Sequence, residues 1–324
     1  MTRRLQRWLL GALCWLLLAG PTQGRSLITE PVTLNTSSGQ LYGTLMTPGG
    51  KHPPVVLIIA GSGPTDRNGN NPDGAAHNDV LLWLAKDLAN QGIASLRYDK
   101  RGIAASRNAA LDERNLRVEQ YAQDAAAWTH WLRSKRRFGQ IFLVGHSEGA
   151  LVASLAAPLC KAAGLALLEG AGRPLDDLLR QQISTRLPPL LLAQANAILT
   201  SLKNGQVYEP VNPELMPIFR PSVQPYLISL IRHDPAASLA ATQGPVLIVQ
   251  GSRDAQVSLV DARRLLKARP DAKLVLIKDM DHMLRITPYR DLHQQLPSYN
   301  NPNQPIAPQL VSTLVDFIKS HQRH

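Results

Sequence analysis

From residue 55 onward the chain alternates two rhythms. Continuous apolar runs of strand type, VVLIIA, IASLRYD, IFLVG and GLALLEG, are separated by amphipathic segments such as VLLWLAKDLANQG, VEQYAQDAAAWTHWLRSK and EGALVASLAAPL. Runs that are apolar on both faces and separated by helices predict a parallel sheet covered on each side. Ahead of them, Thr29 to Asn35 and Gln40 to Met46 read as two strands joined by the turn signal TSSG, an antiparallel hairpin. From Arg173 to about Gln243 the rhythm becomes helical and then Pro-punctuated, which predicts an inserted helical cap. The sheet pattern resumes with PVLIVQGSRD, a helix over about Leu259 to Arg269, and KLVLIKD. A long Pro-, Asn- and Gln-rich loop, roughly Thr287 to Pro308, then leads to a closing helix, QLVSTLVDFIKSH. A loop of that length is expected to be ordered over the surface or to serve a function.

The fold class is therefore α/β, a mostly parallel central sheet with an N-terminal hairpin. The core is divided into residues 25–172 and 244–324 by a cap over 173–243. A hydrophobic fraction of 44% and a charged fraction of 18% across 324 residues exclude global disorder. Residues 1–24 join Arg3, Arg4 and Arg7 to an apolar stretch from Trp8 to Ala19 and then to small residues, the layout of a secretory leader. Cleavage after Gly24 is expected, giving an exported, periplasmic or secreted chain, the alternative being an uncleaved anchor. It would remove Cys14 and leave Cys160 as a lone thiol, and it would lower the formal charge from +11 to +8. The surplus is spread along the chain; its densest cluster, RSKRR at Arg133 to Arg137, ends a predicted helix and reads as a solvated face, the alternative being attraction to an anionic lipid or polymer. No nucleic-acid partner and no stable membrane insertion after leader cleavage are expected.

The stretch QIFLVGHSEGA carries the chemistry. Gly145-His146-Ser147-Glu148-Gly149 is a G-x-S-x-G between a predicted strand and a predicted helix. A serine hydroxyl is a weak nucleophile and must protrude from a strained turn toward a base, while glycines let strand and helix approach. Downstream of the cap, Asp254 and His282 each follow a predicted strand, the order expected for an orienting acid and a base. Asp279 and Asp281 flank His282 and are rival acids, with surface-loop roles expected instead; His146 is expected to pack beneath the turn.

The motifs GHSEG, QGSRDAQV and DMDHM, with RYDKRGIAAS at Arg97 to Ser106, resemble those of the α/β-hydrolase superfamily over about Thr29 to Phe317. The likeness runs toward bacterial secreted or periplasmic members of the cinnamoyl-esterase and serine-aminopeptidase branches. It implies a serine hydrolase with Ser147, His282 and Asp254 as triad, no metal or cofactor, and a small-molecule ester as substrate. A peptidase, an acyltransferase or a non-catalytic binder on the same scaffold are the alternatives. The loop VVLIIAGSGPTDRNGNNPDG follows the first parallel strand. It lacks the third glycine of a dinucleotide fingerprint, and its Asp66, Asn68, Asn70 series lacks the glycine and the glutamate of a calcium loop. The remaining reading is an oxyanion loop, with backbone amides of Ser62 and Glu148 as donors and Gly63 as the alternative to Ser62. Asp66 and Arg67 are left between a loop ion pair and a substrate contact.

Overall fold

The computed structural model describes residues 27–74, 76–184 and 186–322, so the leader expected over residues 1–24 lies outside them. Eight strands form one sheet: β1 (Ile28–Thr36), β2 (Gly39–Thr47), β3 (Val55–Ile59), β4 (Ala94–Tyr98), β5 (Ile141–His146), β6 (Gly164–Leu168), β7 (Val246–Gly251) and β8 (Lys273–Ile277). Their order across the sheet is β1-β2-β4-β3-β5-β6-β7-β8. β1 and β2 make the expected hairpin, β2 joins β4 antiparallel, and β3 to β8 run parallel.

The continuous apolar runs are explained by two cores, one on each face. Along β3, Val55, Leu57 and Ile59 enter one cluster while Val56 and Ile58 enter the other, as the two-residue period of a strand demands. Helices α1 (Val80–Asn90) and α11 (Pro308–Ser320) cover one face, through Leu84 and Leu88 and through Leu310 and Leu314. Helices α2 (Val118–Ser134), α3 (Glu148–Cys160) and α9 (Leu259–Ala268) cover the other, through Trp128, Val152 and Leu265.

Between β6 and β7 the chain forms α4 (Leu175–Ser184), α5 (Pro189–Lys203), α6 (Met216–Phe219), α7 (Gln224–Ile231) and α8 (Pro235–Ala240). Their apolar sides do not build a separate core: Ile198, Leu199 and Phe219 join the cluster that holds Leu143 and Leu167 of the sheet. The long loop after β8 contains α10 (Leu292–Gln295) and a tight turn over Leu296–Asn300. It lies against the strand ends, with Gln295 donating to the Arg253 carbonyl at 2.7 Å and Ser298 to Asp281 at 2.9 Å.

Candidate active site

Because β3 to β8 are parallel, every loop that follows one of them opens at one end of the sheet, the usual place for a site in such folds. Ser147 stands there between β5 and α3 with φ 55° and ψ −120°, a backbone state that costs a non-glycine residue ~1–3 kcal/mol. The two flanking glycines make it attainable. A Cβ at Gly145 would lie 2.1 Å from the Gly149 carbonyl oxygen, and one at Gly149 would lie 2.3 Å from that of Ile59. Strand, turn and helix are thus pressed together with no room for side chains, and the hydroxyl is left at the tip.

His282 faces it after β8, with Nε2 3.1 Å from Ser147 Oγ and Nδ1 2.8 Å from Asp254 Oδ2. The other Asp254 oxygen accepts the amides of Gln256 at 2.7 Å and Val257 at 2.9 Å, which fixes the carboxylate's plane. Burial acts to raise the Asp254 carboxyl, but the attraction and hydrogen bond of His282, with further hydrogen bonds from Glu169 and the Val257 amide, outweigh it and hold the group at about 2. A carboxylate ionised at neutral pH and bonded to Nδ1 sets the tautomer that leaves Nε2 free to accept a proton.

The rival acids lie elsewhere. Asp279 accepts Arg253 Nε at 3.0 Å, and Asp281 accepts the Arg285 amide at 3.0 Å and the Ser298 hydroxyl at 2.9 Å. The surface role expected for Asp281 is corrected: the residue is completely buried, because the loop after β8 folds over it. His146 does pack beneath the turn, with Nε2 2.8 Å from the His282 carbonyl oxygen. Burial, helped by repulsion from His282, pushes its imidazole down to about 4.

The loop after β3 has three parts. Gly61 lies so close to Ser147 that a Cβ on it would meet the serine Cβ at 3.2 Å. The carbonyls of Gly61 and Gly63 both accept from Lys100 Nζ, a lysine only 2% exposed, whose charge also sits 5.5 Å from the Tyr121 ring. Beyond it, Asp66 Oδ1 accepts the amides of Asn68 at 2.8 Å and Asn70 at 2.9 Å, and Asn70 Oδ1 accepts those of Asn78 and Asp79. That is turn chemistry. Arg67 pairs with Asp99 at 2.6 Å, not with Asp66.

Sequence reasoning missed three residues: Lys100, Tyr226 and Glu169. Tyr226 donates to Glu148 Oε1 at 2.8 Å from the helix α7 side of the site. Glu169, at the end of β6, is completely buried with φ 52°. Its Oε1 accepts the Gly251 amide at 2.8 Å, its Oε2 accepts Gln250 Nε2, and its carboxyl is hydrogen-bonded to Asp254. Burial first and the Asp254 charge second hold it well above the usual carboxyl range, which favours its protonated form beside the ionised Asp254. Glu169, Asp254 and His282 are also the one group of three possible metal ligands among the described residues, but Nδ1, the imidazole nitrogen facing these acids, is already engaged by Asp254. An acid ending an apolar run, LLEG, was the available signal for Glu169.

A cavity of about 130 Å³ opens beside Ser62, Ser147 and Glu148, with Leu151 from α3, Leu178 from α4 and Leu230 from α7 in its walls. The sheet order and the strained serine turn define an α/β-hydrolase fold, at whose strand ends Ser147, His282 and Asp254 are hydrogen-bonded in series. More particularly, the chain belongs to the family described as serine aminopeptidase, S33, whose model matches residues 74–287. It is 27% identical over 249 residues to esterase EstD of Thermotoga maritima, covering 75% of this chain and 58% of that protein. Its fold is similar to that of Est1E from Butyrivibrio proteoclasticus, solved with ferulic acid (TM-score 0.57, 18% identity, 89% of this chain and 99% of that one). It is also similar to a thermophilic esterase from Thermogutta terrifontis (TM-score 0.54, 16% identity, 91% and 100%).

Proposed function

We propose that the protein hydrolyses carboxylic esters through an acyl-enzyme on Ser147. The observation that carries this is the unbroken hydrogen-bond chain from Ser147 Oγ through His282 to Asp254 at the carboxyl ends of the strands. As Oγ attacks the ester carbonyl, His282 Nε2 takes its proton and Asp254 stabilises the imidazolium. The proton then passes to the departing alcohol. Water repeats the sequence on the acyl-enzyme, which releases the acid and restores the serine.

The oxyanion needs donors aimed at charge that develops only in the transition state. Glu148 is the first residue of α3, so its amide has no partner within the helix. In a trans peptide the N–H points opposite the preceding C=O. Since the Gly61 carbonyl faces Lys100, the Ser62 amide is turned away from the lysine, and the contact of Gly61 with Ser147 puts that peptide at the nucleophile. This supports Ser62 over Gly63. The cavity, walled by leucines of α3, α4 and α7 but also by Arg173, Gln182 and His233, is comparable to the roughly 150 Å³ that accommodates benzene and suits a short acyl group. Glu148 supports a second reading: its half-buried carboxylate in the same cavity is placed to hold an amine, as an aminoacyl substrate would require.

The basic and apolar leader supports action outside the cytoplasm. One mass-spectrometric experiment on exported protein treated with a fluorophosphonate tests both parts. The expected chain begins at Arg25 and carries the label on Ser147, and Ser147→Ala loses label and ester hydrolysis while remaining folded. Label on another serine would sink the mechanism, and retention of residues 1–24 would sink the processing. Faster turnover of aminoacyl amides than of short acyl esters would favour the amine-binding reading.

A further inference from the structure

The end of the sheet opposite the site is defined by the starts of β3 to β8, and the chain enters there at β1, because Ile28 pairs with Thr47 beside the turn into β3. Helices α2, α3, α9 and α11 also end there. The connections and helix ends at this base, residues 48–54, 133–140, 160–163, 267–273 and 319–322, hold ten lysines and arginines and a single acid, Asp271. Glu30 at the start of β1 adds one more carboxylate and pairs with Arg137 at 2.8 Å. The base therefore carries a surplus of eight positive charges. Residues 27–322 as a whole hold thirty cations and twenty-four acids, a surplus of six, so the remainder of the molecule is slightly acidic.

Cations in the last turns of helices complement the macrodipole, and Arg133, Lys267 and Lys319 are accounted for in that way. Lys51, Lys135, Arg136 and Lys273 lie outside any last turn and are exposed. A cavity of about 750 Å³ opens on the same end, with Arg133, Lys161 and His321 in its lining and no carboxylate. Two aromatic rings are interleaved with these charges: Lys135 Nζ lies 4.2 Å from the Trp131 ring, and Arg137 lies 5.1 Å from that of Phe138. Leu27 and Ile28 are 36% and 51% exposed where the chain enters.

We propose that this base docks on an anionic lipid surface and holds the catalytic end of the protein toward the aqueous phase. Basic side chains with amphipathic aromatics and exposed aliphatic groups match the charged headgroups and the apolar boundary beneath them. A phosphodiester polymer would use the cations but give no role to Leu27 and Ile28. Among the described residues no helix is long and apolar enough to cross a membrane, so the contact made by this part of the chain is peripheral. It depends on charges within a Debye length of the surface, about 10 Å at 0.1 M salt.

The test is co-sedimentation of the exported protein with vesicles of phosphatidylcholine alone or with about a third phosphatidylglycerol. Partition onto the anionic vesicles is expected to exceed that onto neutral ones at least tenfold at low salt and to collapse at 0.5 M salt. The triple variant Lys51→Glu, Lys135→Glu, Lys161→Glu should lose at least tenfold. A control with the same change in net charge at exposed positions outside the base, Arg107→Glu, Lys278→Glu, Arg290→Glu, should lose less than threefold. Both should hydrolyse a soluble ester normally. Equal binding to neutral vesicles, no binding, or equal losses in the two triple variants would overturn the proposal. Stronger retention by heparin than by vesicles of matched charge would overturn it in favour of a soluble polyanion.

Discussion

At the scale of single residues, the site is a set of acids made different by their surroundings. Asp254 is ionised because two backbone amides and an imidazole face it. Asp279 is spent on Arg253, and Asp281 on the turn that carries His282. Replacing Asp254 by Asn keeps the shape but removes the charge that fixes the imidazole tautomer, a change that costs about 10⁴-fold in kcat where the same triad has been studied. Asp254→Asn is expected to fall by three orders of magnitude or more in kcat on an activated ester. Asp279→Asn is expected to lose less than about tenfold, or ~1.4 kcal/mol of transition-state stabilisation. Asp281→Asn should lower thermal stability more than kcat, because its two hydrogen-bond donors are buried. Steady-state kinetics and melting of the three variants decide the assignment; a severe kinetic loss confined to Asp279 or Asp281 would transfer the role. Ser147 was legible as a candidate because its motif sits where an apolar strand meets an apolar helix. The burial of Asp281 was not, since it depends on residues seventeen positions later folding back over it.

At the scale of elements, the loop after β3, proposed to hold an oxyanion donor, has no regular structure of its own and takes its shape from neighbours. Gly61 is braced by the serine turn, and Lys100, one residue past the Asp99 that holds Arg67, draws the Gly61 and Gly63 carbonyls to one side. The bond spans thirty-nine residues. Nothing in the local pattern of RYDKRG announces it, which is why the element was legible and its task was not. Burial depresses the Lys100 ammonium, and the Glu148 charge partly opposes this; the lysine keeps its place by donating to two carbonyls. Lys100→Met fills similar space without donating. The loop then loses the contact that orients the Ser62 amide, so kcat is expected to drop at least tenfold with KM changed less than threefold. A loss seen only in KM would mean that the lysine shapes the binding cavity and not the oxyanion donors.

At the scale of the whole molecule, strands and helices were readable because burial on both faces leaves continuous apolar runs, whereas long-range polar pairing leaves no periodic trace. Glu169 and Asp254 are eighty-five positions apart in sequence and meet only when β6 and β7 lie side by side. The pair has a consequence for the stability of the entire fold. Glu169 has a folded pKa well above its unfolded value near 4.5. Above that unfolded value the native state holds a proton that the unfolded chain has released, so stability falls as pH rises until the folded pKa is reached. The slope for one such group is ~1.4 kcal/mol per pH unit. His146 acts in the opposite sense over a lower window: with a folded pKa of about 4 against 6.5 unfolded, its contribution is complete above pH 6.5 and is lost as pH falls toward 4. Between pH 6.5 and 8.5 the histidine is silent, and the acid can be read alone. Glu169→Gln keeps a side chain that can donate to Asp254 and never ionises. Its unfolding free energy from urea titrations, relative to the native protein, is expected to rise with pH above 6.5, with a slope of at most ~1.4 kcal/mol per pH unit, and to level off once the folded pKa of Glu169 is passed. A difference that stays constant from pH 6.5 to 8.5 would show that Glu169 has already lost its proton in the native fold, and that two adjacent carboxylates are borne behind the histidine.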